Sequence, residues 1–75
     1  MKYYELIQRA NDYARSGLIV EAIRILTVVQ TDMEQVLEDV QKTYTPYRDE
    51  LVQLVQHNIE AVSERMAELR KVYQN

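Results

Sequence analysis

The chain has no cysteine, no tryptophan and no phenylalanine, and its 75 residues include one glycine, one proline and one histidine. Without cysteine there is no disulfide framework and no thiolate nucleophile, and a lone histidine does not build a zinc site. Domains this small bury only about 60% of the surface that the unfolded chain exposes, and they commonly rely on such staples. Helix packing or self-association must therefore hold this one together. One glycine and one proline also exclude a many-turned β fold, which needs turn residues about every 8–12 positions. Positive charge is the scarcer sign: nine Lys and Arg stand against twelve Asp and Glu, a net charge of -3. That balance disfavours nucleic acid, whose partners usually carry a basic stripe and a pI above about 9. Long apolar runs are missing too. The stretch Leu18 to Val29 is interrupted by Glu21 and Arg24 and falls short of the roughly 20 apolar residues that a membrane span requires. The start, Met1-Lys2-Tyr3-Tyr4-Glu5, has no signal-peptide character. The expectation is a soluble, cytoplasmic chain with no membrane insertion.

What is present is helical periodicity. Tyr3, Leu6, Ile7, Ala10, Tyr13 and Ala14 recur at three- and four-residue spacing and predict a first helix over 3–16. Gly17 ends it, because glycine takes the left-handed conformation of a helix C-terminus without steric cost. A second helix is expected over 18–43. Ile19, Leu26, Met33 and Val40 stand seven apart, with Ala22, Val29 and Val36 as the matching second position. Its first half is apolar nearly all round, as befits a middle helix covered from two sides. Thr45-Pro46 reads as an N-cap followed by proline at the first helical position, opening a third helix over 46–74. There Val52, Val55, Ile59, Val62, Met66, Leu69 and Tyr73 keep 3-4 spacing without a break. The fold class expected is all-α: a three-helix antiparallel bundle in one domain, with a short first helix and a long coiled-coil-like hairpin.

Chemistry-bearing groups are sparse. His57, Glu60 and Glu64 share a stripe of helix three, but that stripe lies outside the seam and reads as a solvated face. Di-metal carboxylate bundles need Glu-x-x-His elements, and none occurs. Ser16 and Ser63 have no histidine within plausible reach, and no glycine-rich loop exists to cradle phosphate. The sequence thus predicts no enzyme, no cofactor and no metal. Tyr3, Tyr13, Tyr44 and Tyr73 fall on seams or helix ends, where a ring packs and its hydroxyl stays wet.

Two features point to partners. Residues 25–60 hold seven acids and two bases, a net of -5, whereas the rest of the chain sums to +2. The hairpin tip would therefore steer a basic partner toward itself. Beside the helix-three seam runs a second stripe, Leu54, Asn58, Ala61, Arg65, Glu68 and Val72. It mixes small, apolar and charged residues in the manner of a shallow groove wall for another amphipathic helix. Leu54, Ala61, Arg65, Glu68 and Val72 are the candidate partner-binding residues.

The run Ala10-Asn11-Asp12-Tyr13-Ala14-Arg15-Ser16-Gly17, followed by Glu21-Ala22-Ile23 and Leu26, has the spacing of a tetratricopeptide-like hairpin. One such hairpin with a longer third helix ending in Glu64-Arg65 and Leu69-Arg70 resembles the microtubule-interacting and trafficking (MIT) domain. That family places a three-helix bundle at the front of AAA ATPases such as katanin. The chain departs from it at Val29, where a small Ala is usual, and at Ala67, where an acid often grips a basic partner motif. The resemblance implies a monomeric adaptor for protein–protein interaction, docking short helical motifs in a groove between helices two and three. The alternative is a self-associating bundle, a homodimeric chaperone or regulator of secretion or phage assembly. Its warrant is the unbroken heptad of helix three and the surplus apolar residues of helix two.

Overall fold

Gly17 turns the chain where expected. In the computed structural model, which describes residues 3–74 and the side chains of 3–73, Gly17 has φ +85°. The Leu18 N–H donates to the Tyr13 carbonyl at 2.8 Å and the Gly17 N–H to that of Ala14 at 3.1 Å. These two bonds are the paired closure of a Schellman C-terminus. They end α1 (Tyr3–Arg15) and release α2 (Ile19–Lys42), which is followed by α3 (Arg48–Gln74). The fold is therefore the expected all-α three-helix bundle, with no strand among the described residues. None of these helices is long and apolar enough to cross a membrane.

Helix α3 begins two residues later than the Thr45-Pro46 signal suggests. Thr45 Oγ1 accepts from the Tyr47 N–H at 3.3 Å, and the Thr45 carbonyl accepts from the Arg48 N–H at 3.2 Å. Residues 45–48 thus close first as a turn held by the threonine hydroxyl. The first bond of helical span in this region runs from the Leu51 N–H to the Tyr47 carbonyl, at 3.0 Å. At the other side of the turn, Thr43 is already extended, with ψ 133°.

Short connections make successive helices antiparallel neighbours. Helix α1 packs on α2 and α2 on α3, while α1 and α3 hardly approach each other. The result is elongated, 45 × 21 × 14 Å, with α2 in the middle. Thirteen residues of α1 reach about 20 Å, whereas the 24 of α2 and 27 of α3 reach about 36 and 40 Å. Only the inner part of the hairpin, next to the Gly17 corner, therefore has a third helix beside it.

Burial follows that division. The buried core consists of Ala10, Ala22, Leu26, Val29, Met33, Val62, Met66 and Leu69, all in the three-helix part. Along the same seams further out, Val40, Val52, Val55 and Ile59 are only half-buried, and Val36 is 38% exposed. Two expectations change. The first half of α2 is not enclosed all round, since Val28 remains exposed, as does Leu18 just before the helix: α1 and α3 cover two faces and leave the outer one to water. Tyr3 and Tyr13 do pack against the core, but Tyr44 is fully exposed and Tyr73 largely so. Tyr44 lies in the turn beyond α2, and Tyr73 continues the seam past Leu69, where it stays exposed.

Candidate functional site

Helix α3 presents three faces. Its seam meets α2. One flank carries Ser63, whose Oγ accepts a 2.7 Å hydrogen bond from Gln30 Nε2 of α2. The other flank, the stripe Leu51, Leu54, Asn58, Ala61, Arg65 and Val72, follows a 3-4 spacing one residue out of phase with the seam. This second flank is on the α1 side, as shown by Arg65 Nε donating to Asn11 Oδ1 at 3.3 Å. Arg65 also pairs with Glu68 one turn on, at 3.2 Å, so one guanidinium ties α1 to α3 and is itself oriented from within α3.

Around that tie lies a cleft of about 160 Å³, lined by Ile7 and Asn11 of α1, Leu26 of α2, and Ala61, Val62 and Arg65 of α3. Of the five residues expected to bind a partner, the structure brings Ala61 and Arg65 together here, and Glu68 reaches it only through Arg65. Leu54 and Val72 stand apart at opposite ends of the stripe, 57% and 61% exposed. The α1 wall is what reasoning along helix three alone misses. A signal for it exists in the sequence: Asn11 is a polar residue in a position spaced from Ile7 and Ala14 as a seam residue would be.

Further out, the flank runs past the beginning of α1. Leu51 and Leu54 of α3 and Val36 of α2 stay exposed there. Val36 continues the α2 stripe that is buried at Val29 in the inner half, whereas the α3 flank is exposed at Ala61 and Val72 in the inner half as well. The outer half of the hairpin thus leaves apolar residues without a third helix over them. Asp32 and Asp39 stand seven residues apart on this part of α2. Asp39 Oδ1 accepts from Gln35 Nε2 at 3.1 Å. Asp32 is half-buried, and among the described residues its carboxylate has no hydrogen-bond or ion-pair partner.

His57, Glu60 and Glu64 are all exposed, and no cluster of three or more metal-ligating side chains occurs among the described residues. No family model matches this chain, and neither does any curated protein or solved structure.

Proposed function

We propose that the chain is a non-enzymatic docking module, holding a short amphipathic helix in the open outer groove between α2 and α3. The observation that carries this reading is the break in burial along continuous seams. Val29 and Met33 are 0% and 5% exposed beside α1, and Val36, the next seam residue outward, is 38% exposed. Apolar seam residues left uncovered beyond the end of α1 would suit a further helix packed in line with it. The resemblance to MIT domains supports the same class of activity. On this reading Leu54 is a contact residue, Ala61 lies where the docked helix would end against α1, and Arg65 holds the α1 end of the groove in place.

The test is selection from a displayed library of amphipathic helices, with wild type and Leu54→Asp compared. Leu54→Asp is expected to keep helical content and Tm and to lose every helix that the wild type selects. Sedimentation of the unliganded protein across concentrations tests the self-associating reading. A monomer throughout is the expected result, and a dimer that Leu54→Asp dissociates would replace a foreign helix with a second copy.

A further inference from the structure

The cleft between α1 and α3 lies inward of the outer hairpin, and its chemistry is of a different kind. Its apolar lining is Ile7, Leu26, Ala61 and Val62, of which Leu26 and Val62 are 1% and 5% exposed. Ala61 brings only a methyl group and so leaves room beside it. The polar side is made by Asn11 and Arg65 alone. From this meeting of an apolar lining with two polar side chains we infer that the cleft binds a small carboxylic acid whose tail is a compact ring or branched chain of about six carbons.

Two donors on the polar side are unused. Arginine carries no acceptor, so the 3.3 Å bond from Arg65 Nε fixes the Asn11 amide with Oδ1 toward Arg65. That leaves Asn11 Nδ2 with no acceptor among the described residues. Arg65 Nη1 donates to Glu68 Oε2 at 3.2 Å, and Nη2 has no acceptor among those residues either. The guanidinium is planar, and the Nη2 hydrogen beside Nε runs parallel to the bond that reaches Asn11. Both free donors thus belong to the one tie that borders the cleft. A carboxylate, flat and with two acceptor oxygens, suits such a pair. A phosphate would bring further charged oxygens against an apolar lining.

Charge and size narrow the ligand further. The Glu68 side chain is 65% exposed against 39% for Arg65, so their pairing is weak and leaves the guanidinium able to take a second anion. The cleft measures about 160 Å³, and an apolar cavity of about 150 Å³ takes a benzene ring. A phenyl group or a branched chain of similar size fills such a space, whereas a long acyl chain exceeds it.

The probes are phenylacetate and 2-phenylacetamide, which share a ring and differ in charge. Titrated at constant ionic strength, phenylacetate is expected to shift the methyl NMR signals of Ile7, Leu26, Ala61 and Val62 saturably, with a Kd on the order of 1 mM. The amide is expected to bind at least about fivefold more weakly, and acetate, which lacks the ring, to leave those methyls in place. Ala61→Leu, at an exposed position, is expected to fill the cleft and abolish the shifts while keeping Tm. Arg65→Met retains the apolar stem and is expected to erase the preference for acid over amide. Glu68→Gln removes the competing carboxylate and is expected to tighten phenylacetate about two- to threefold. It keeps the charge test standing should Arg65→Met loosen α1. No saturable shift up to about 20 mM, or shifts that persist in Ala61→Leu, would overturn the site. Equal binding of acid and amide, or no tightening in Glu68→Gln, would overturn the carboxylate assignment.

Discussion

The two halves of the hairpin share one sequence rhythm and differ in what surrounds it. Heptad-spaced apolar residues run unbroken from Ile19 to Val40 on α2 and from Val52 to Leu69 on α3. Near the Gly17 corner α1 lies over them, and Leu26, Val29, Met66 and Leu69 are at most 4% exposed. Toward the Tyr44 turn no third helix lies over them: Val40, Val52 and Val55 are only half-buried and Val36 is 38% exposed. Periodicity determines which face of a helix is apolar. The length of the neighbouring helix determines how much of that face becomes core. The inner half is thus a three-helix unit, and the outer half is a pair of helices without a third.

The contrast can be broken first at Met66. Met66→Asp puts an unpaired carboxylate into the inner core and is expected to cost about 4 kcal/mol, enough to unfold a domain of this size. Loss of the helical circular dichroism signal at 25 °C is the readout, and a folded variant would show that the inner half is not a sealed core. Next comes a matched pair of truncations. Leu26→Ala removes a side chain that is 1% exposed and is expected to cost about 3 kcal/mol. Leu51→Ala, in the outer half, is expected to cost about 0.5 kcal/mol. Urea titration measures both, and similar costs would erase the distinction between the halves.

Gly17→Val sharpens the picture at the corner that holds α1 against the hairpin. A Cβ there meets nothing within 4 Å, so the whole effect comes from forcing a β-branched residue to φ +85°. About 1–2 kcal/mol is expected, read as a lower Tm. The smallest effect belongs to Glu64→Ala, which is exposed and outside both seam and groove. Its urea midpoint is expected to stay within about 0.5 kcal/mol of wild type.

Helix number, the Gly17 corner and the core positions Leu26, Met33, Val62, Met66 and Leu69 were legible in the sequence, because they depend on local spacing and on one residue's conformational freedom. The beginning of α3 was less so. Thr45 and Pro46 suit a helix N-terminus, but the threonine hydroxyl bonds two residues ahead and closes a turn first. Tyr73 sits where spacing places a seam residue and Tyr44 at a helix end, and only the arrangement of the other helices shows that nothing covers them. The groove was half legible. The stripe from Leu54 through Ala61 and Arg65 can be read along α3, whereas its walls come from α1 and α2. Asn11 meets Arg65 across 54 positions of sequence, a pairing that no periodicity within one helix encodes. The acidic charge of the outer hairpin, Asp32 and Asp39 included, was visible in the composition of residues 25–60.

Amide hydrogen exchange along α2 in the unliganded monomer tests the division most directly, because one continuous helix reports on both environments. Amides around Leu26, Val29 and Met33 are expected to exchange only through global unfolding, with the same free energy as the urea titration. Those around Leu37 and Val40 are expected to exchange at least about tenfold faster, through opening of the outer hairpin while the inner bundle stays intact. Uniform protection from Leu26 to Val40 would contradict the account, since it would mean that the outer seam is as well held without a third helix as the inner seam is with one.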